Sequence, residues 1–369
     1  MGSFYIEQRE TDPISTLEFH ITNTDNRLMV PLLPADRHQK TPSTSTIRVD
    51  RSPLVSVIMP SYNTSQFIRQ AIDSVLGQDY PSIELIIVDD GSTDNTVSIV
   101  RDLCLHDKRL KLHVQNNQGA AVARNQGISI ARGEFVAFID SDDFWLPGKI
   151  SAQVRHLESN PDIDLVFSRW KTWKPDTQGA FQFPDIDECE VTESSTGSIT
   201  ERSGWLYNRL LLGSALHTIT VMARRSLIER LGPFDQSLKR GQDYDYWLRA
   251  SRETRIHQLN QIHALYRIHG QGCIKKWPAE NYERIVVEKA LSRWGLTGPD
   301  GTKTSTSVIN QRLSKICLDF GYHHLVEGDP KIAFKQFIEA LRFNPFNFSA
   351  LKSLFRAAIK LPISSRKII

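Results

Sequence analysis

Three carboxylates in four positions, Asp140, Asp142 and Asp143, stand directly after the apolar run Phe135-Val-Ala-Phe-Ile139. Like charges at that spacing repel unless a cation or a basic group sits between them. Hard oxygen ligands suit Mg²⁺ or Mn²⁺, ions that readily share a site with phosphate oxygens. A divalent ion held there would bridge a diphosphate and stabilise its charge as it departs. A second pair, Asp89-Asp90, follows the apolar run 83–88 and precedes Gly91, where it serves equally as turn chemistry or as a nucleotide-holding group. A third run ends in Pro60-Ser-Tyr-Asn63. No glycine-rich loop with a Lys is present, which excludes a P-loop nucleotidase. Farther on, Asp243 offers a carboxylate able to take a proton from a hydroxyl, and it is also placed to cap the helix that follows. His269 stands next to Gly-Gln-Gly272, and a lone histidine is as often an ordinary core or surface residue as a ligand.

Such residues need a frame that brings them together. Short apolar runs at 54–59, 83–88, 110–114 and 135–139 read as buried strands. Between them, apolar residues at spacings of three and four predict helices over about 67–76, 97–103 and 120–131. Four apolar strands alternating with three amphipathic helices predict a parallel sheet covered by helices, an α/β fold. In such a sheet ligands bind beyond the carboxyl ends of the strands, where Tyr62, the Asp89 pair and the Asp140 cluster all fall. Beyond residue 139 the alternation is less regular: helix 149–159, strand 164–167, a polar stretch 171–203, then helix, strand and helix at 205–212, 218–222 and 225–231. A helix over 243–251 and a strand over 264–268 complete this part.

The chain has 369 residues, 40% of them hydrophobic and 24% charged, the balance of a globular protein. Its 45 basic and 42 acidic side chains leave a net charge of +3, no field for gripping nucleic acid. The four cysteines share no close spacing, so they predict reduced structural thiols rather than a zinc site. Neither a signal peptide nor a membrane-spanning run is visible, and the expected location is cytoplasmic.

Five stretches carry a family resemblance in order: Val55-Ser-Val-Ile-Met-Pro-Ser-Tyr-Asn63, Ile87-Val-Asp-Asp-Gly-Ser-Thr-Asp94, Ala123-Arg-Asn-Gln-Gly127, Phe138-Ile-Asp-Ser-Asp-Asp143 and Gly241-Gln-Asp-Tyr-Asp-Tyr-Trp-Leu-Arg249. From Pro53 to about Gly272 the chain resembles a family 2 glycosyltransferase of the GT-A fold. The resemblance implies metal-dependent, inverting transfer from a nucleotide sugar, a UDP-sugar first and GDP- or dTDP-sugars as alternatives, to a glycan or lipid-linked acceptor. It implies that Pro60, Tyr62, Asn63, Asp89 or Asp90, and Arg124 line the base and ribose pocket. By the same match Asp140 contacts ribose or donor sugar, and Asp142 holds Mn²⁺ or Mg²⁺ with His269 nearby. Asp243 takes the position of the catalytic base. An acidic residue usually precedes it, and here Gln242 does, which leaves Asp243 and Asp245 as alternatives. Arg240 is a further candidate for the diphosphate. The processive synthases of similar fold have Gln-x-x-Arg-Trp, and Ala290 stands where that Gln would precede Arg293-Trp294, which implies a non-processive enzyme.

The expected organisation is an extension over 1–52, the GT-A domain over 53–275 and a helical region over 276–369. Phe320, Gly321, Ala333, Phe337, Ala340 and Pro345 follow the spacing of one tetratricopeptide repeat, with Cys317 and His324 in place of its usual Trp and Tyr. One repeat must lean on another surface, the catalytic domain or a protein partner. The tail 351–369 mixes basic and apolar residues, suited either to an anionic membrane surface or to a solvated capping helix. A catalytically silent scaffold acting through the helical repeat, and a sugar-nucleotide pyrophosphorylase, are the rival readings. The latter wants a glycine-rich basic loop that residues 60–66 lack.

Overall fold

The computed structural model describes residues 52–184, 198–199, 202–270 and 277–361. The extension, Cys189, Cys273, Gly272 and the end of the tail lie outside the described residues.

Strands β1 (Val55–Ser61), β2 (Ile83–Asp89), β3 (Leu110–Val114) and β4 (Phe135–Phe138) form the parallel part of the sheet. Every residue of β1, β2 and β4 is buried, which is why they read as continuous apolar runs rather than as alternation. Val55, Val57 and Met59 point to one apolar layer and Ile58 to the other, so both faces are covered. Helices α1 (Ile68–Leu76), α2 (Thr96–His106) and α3 (Ala120–Ile130) make the crossovers. The sheet continues through β5 (Phe144–Trp145), β6 (Leu165–Trp173), β7 (Met222–Arg224) and β8 (Ile256–Arg267), giving eight strands in the order β3-β2-β1-β4-β7-β6-β8-β5. β1 pairs in parallel with both β2 and β4, so chain direction around the sheet reverses there and leaves a crevice beyond Ser61 and Phe138.

Helix α4 (Lys149–Ser159) covers the face that α1 also covers. On the other face lie α5 (Tyr207–Leu212), α6 (Arg225–Leu231) and α7 (Gln242–Glu253). The expected strand at 218–222 divides into a 3-10 turn, Thr218–Thr220, and β7. The polar NH of Trp145 is satisfied by the carbonyl of Ile219 at 2.7 Å, which lets that ring be fully buried under the turn.

The C-terminal helices are α8 (Tyr282–Trp294), α9 (Thr306–Glu327), α10 (Pro330–Phe343) and α11 (Phe348–Lys360). Asn281, Ser305, Asp329 and Asn347 each cap one of them with a side-chain oxygen, and Pro330 opens α10 where its missing N–H costs nothing. Gly321 lets α9 and α10 approach closely: a methyl there would stand 2.7 Å from the Phe337 ring. His324 is buried and holds the Pro278 carbonyl at 2.9 Å. Tyr282, Val286, Val287, Ile309, Leu313 and Ile316 belong to the same apolar layer as Tyr207, Leu210 and Tyr244. The α/β layer and these helices therefore share one core.

Candidate active site

A cavity of about 340 Å³ opens at the carboxyl ends of β1 and β4. Pro60, Tyr62, Asp90, Arg124, Asp140 and Asp243 line it, with Lys239 and Arg240 at the approach to α7. Tyr62 is about half exposed, so its ring is available to a flat base. Asp90 is buried and accepts from the backbone N–H groups of Gln118 and Gly119 at 2.8 and 2.7 Å and from Gln115 Nε2 at 2.8 Å. These bonds fix the loop before α3 as one wall.

Asp89 and Asn63 are not on that wall. Asp89 is fully buried; its oxygens accept from Ser61 Oγ at 2.9 Å and from Ser92 N and Oγ at 2.8 and 2.6 Å. Asn63 adopts a left-handed backbone (φ 52°) and its side-chain oxygen accepts from Thr93 N at 2.7 Å. Both tie the end of β1 to the turn after β2 and so shape the crevice. The two wall-lining choices of the Asp-Asp pair thus reduce to Asp90.

The repulsion in the 140–143 cluster is relieved one carboxylate at a time. Asp140 pairs with the buried guanidinium of Arg124 at 2.7 Å. Burial pushes the Asp140 carboxyl above its ordinary value, with Arg124 opposing and Asp142 adding to the push. Asp143, also buried, accepts from the Arg267 backbone N–H at 2.8 Å and is raised well above the usual range by burial and by its two acidic neighbours. Asp142 meets His269 Nε2 at 3.0 Å. Burial opposes its ionisation, but the His269 hydrogen bond and charge outweigh that and hold it below the usual carboxylate value.

The Asp142–His269 pair fits a divalent ion by its own spacing. Ligand atoms about 3 Å apart can both reach an ion at about 2.1 Å from neighbouring positions. Among the described residues no group of three His, Cys, Asp or Glu forms a closed metal cage. Two protein ligands would leave the remaining positions open to phosphate oxygens and water, as hard ions prefer. Neither residue lines the 340 Å³ cavity itself.

Asp243 lies in the first turn of α7, where Gly241 with φ 71° holds the cap position, so the expected capping role falls to the glycine. Thr218 Oγ1 donates to Asp243 at 3.5 Å, a long contact. Asp245, two residues on, faces away: it is buried and bound by Arg249 at 3.0 Å and Lys289 at 2.7 Å.

Two residues at the site have no sequence motif to announce them. Arg267, at the end of β8, donates from Nε to the Asp142 carbonyl at 2.7 Å and from a terminal nitrogen to Gln70 at 2.7 Å. Its guanidinium lies 4.1 Å from the Trp173 ring centroid and 4.9 Å from that of Phe67, so cation–π contact and hydrogen bonds hold the acidic turn from behind. His217 is buried between Trp170 and Tyr266, each ring centroid 4.8 Å away. Burial drives its pKa down to about 4, against the pull of the Asp243 charge. A place near the end of an expected strand was the one available signal for Arg267, and His217 had none.

A mixed sheet with a four-strand parallel half, a crevice at the β1/β4 reversal and an acidic turn after β4 is the GT-A architecture. The family model for glycosyl transferase family 2 matches residues 56–212. An Escherichia coli protein named UDP-Glc:alpha-D-GlcNAc-diphosphoundecaprenol beta-1,3-glucosyltransferase WfgD is 33% identical over 208 residues, 56% of this chain and 73% of that one. The chain belongs to glycosyl transferase family 2. An uncharacterized glycosyltransferase of Haemophilus influenzae is 34% identical over 180 residues, 48% of this chain. The match spans 65% of the length of that relative and of two from Rickettsia. Among solved structures, residues 1–349 of S. aureus TarS in complex with UDP superpose with a TM-score of 0.56 at 18% identity, covering 86% of this chain and 92% of that chain, a likeness of fold.

Proposed function

We propose that the protein transfers a sugar from a nucleoside-diphosphate sugar, a UDP-sugar first among the candidates, to a hydroxyl of a glycan or lipid-linked acceptor. The observation that carries this reading is the shared cavity, which Tyr62, Asp90, Arg124, Asp140 and Asp243 all line. In that arrangement Tyr62 and Asp90 hold base and ribose, while Asp140, kept in place by Arg124, orients the donor sugar. Asp243 accepts the proton of the acceptor hydroxyl, which is a poor nucleophile until that proton leaves. A single displacement by that oxygen inverts the anomeric centre and needs no covalent nucleophile on the protein. Asp142 and His269 would hold Mn²⁺ or Mg²⁺, which supplies charge stabilisation to the departing diphosphate. Lys239 and Arg240 also line the cavity and add positive charge to it. The GT-A domain is placed at 53–275, with the helical region 276–369 as its C-terminal support. We place the enzyme in the cytoplasm, acting once per acceptor at a membrane face; no described helix is long and apolar enough to cross a membrane. The name of the E. coli relative, with its diphosphoundecaprenol acceptor, supports a lipid-linked substrate.

The test is Mn²⁺-dependent binding and cleavage of a panel of nucleotide sugars by the wild type and by Asp142→Ala. Metal-dependent turnover of one donor, lost in the variant, is expected. Binding of no donor, with or without metal, would overturn the reading in favour of a silent scaffold.

A further inference from the structure

Helix α11 has two apolar faces, and only one is used. Ala350, Ser353 and Ala357 are buried, and with the partly buried Leu354 they pack on α9 and α10 against Cys317, Ala340, Leu325 and Phe337. At 100° per residue these positions span one side of the helix. Phe348, Leu351 and Phe355 fall on the opposite side and are 78%, 41% and 65% exposed. Phe346, in the turn before the helix, adds a third aromatic ring at 82%. Three exposed phenylalanines within ten residues, two of them on one face of a helix, are a concentration of surface apolarity, and exposed apolar patches mark contact sites.

The charge around the patch identifies what it meets. Lys352 and Arg356, both exposed, flank the phenylalanine face on one side. From Arg342 through Ile369 the sequence has Arg342, Lys352, Arg356, Lys360, Arg366 and Lys367 and no acidic residue. In a chain otherwise nearly balanced, at 45 basic to 42 acidic, that segment stands apart. Exposed aromatic rings on a helix flanked by cations can enter a soft, anionic surface. An amphipathic helix with aromatic residues on one face and cations beside them lies in the plane of an anionic lipid interface, its rings at the boundary between headgroups and chains.

We infer that the outer face of α11 docks the protein on an anionic lipid bilayer, through Phe346, Phe348 and Phe355 as inserted anchors and Lys352 and Arg356 as headgroup contacts. This deepens the membrane side of the function proposed above and rests on that reading for its purpose, though not for its geometry.

The test uses the full chain in co-sedimentation with phosphatidylcholine vesicles, with and without phosphatidylglycerol. The wild type pellets with the phosphatidylglycerol vesicles and stays in solution with phosphatidylcholine alone, and added salt releases it. F348S/F355S and K352E/R356E each weaken vesicle binding by about tenfold or more, because each removes two of the contacts. Both substitute exposed side chains, so the circular dichroism spectrum and the cleavage of a soluble donor remain those of the wild type. Failure of the wild type to pellet with the anionic vesicles, or pelleting of F348S/F355S like the wild type, overturns the inference. So does a wild-type dimer in light scattering that F348S/F355S converts to monomer, which would make the patch a contact between copies. Loss of donor cleavage in the wild type with vesicle binding intact would sink the transfer reading and support this one.

Discussion

Asp243 and Asp245 sit in one helical turn yet face different work. Asp245 is closed off by Arg249 and Lys289, whereas Asp243 lines the same cavity as Asp140. Asp243→Asn should lower kcat by roughly 10²–10⁴ with little change in donor KM or melting temperature, the signature of a lost base. Asp245→Asn should instead cost about 2–4 kcal/mol in urea unfolding and leave the donor affinity of the folded enzyme intact. A reversed pattern would move the base to Asp245. His217 gives a pH prediction. Its folded value of about 4 lies below the ordinary 6.5, so the unfolded chain takes up the proton first as pH falls. The stability that His217 contributes is thus full above pH 6.5 and is lost as pH falls through about 4. Relative to His217→Asn, which does not titrate, the wild type should lose about 3 kcal/mol between those limits. Parallel stability curves for the two proteins would refute the burial argument.

At the level of elements, close approach of backbone decides more than side-chain size. Gly133 lies where β4 begins, and a methyl there would stand 2.5 Å from the Ser56 nitrogen and 2.6 Å from the Leu54 carbonyl. Those are main-chain atoms of β1 and its lead-in, which cannot step aside singly. Gly133→Ala should therefore destabilise by about 2–4 kcal/mol, measured by chemical denaturation. The β1–β4 half was legible because each strand is buried on both faces and each helix keeps its period; α4 matches its expected limits residue for residue. The second half was less so. β6 runs on to Trp173, well past the expected 167, because it pairs with the full length of β8, a partner that periodicity does not reveal. β5 is two residues long and exists only by its pairing with β8. The site divides along the same line. Of the motif positions on the parallel half, Pro60, Tyr62, Asp90, Arg124 and Asp140 line the cavity, whereas Asn63, Asp89 and Asp142 do not. Arg267 and His217 come from elements set by tertiary pairing, and their contacts have no local pattern.

Among the described residues, one apolar layer runs from the α/β sheet into the C-terminal helices. Tyr244 and Leu210 of the α/β layer and Val286, Leu313 and Ile316 of the C-terminal helices occupy a single apolar layer. A chain ending at residue 275 would expose that layer to water. It should aggregate on expression or melt without cooperativity, whereas the full chain gives one transition. A soluble, cooperatively melting fragment would mean that the C-terminal helices only decorate the fold. The tetratricopeptide-like spacing of α9 and α10 includes Gly321, where the two helices approach closely. It gave no hint that their neighbour α11 would leave a second apolar face outward.

Arg267 also has a bearing on the order of assembly. It reaches a carbonyl 125 residues earlier in the chain, and its own N–H holds Asp143. On a ribosome the acidic turn is made long before the arginine that steadies it, and closing so long a loop is slow. The strands β1 to β4 are therefore synthesised well before Arg267 can steady the acidic turn. Under the function proposed above, competence to hold a donor then comes late in folding, after β8 has joined the sheet.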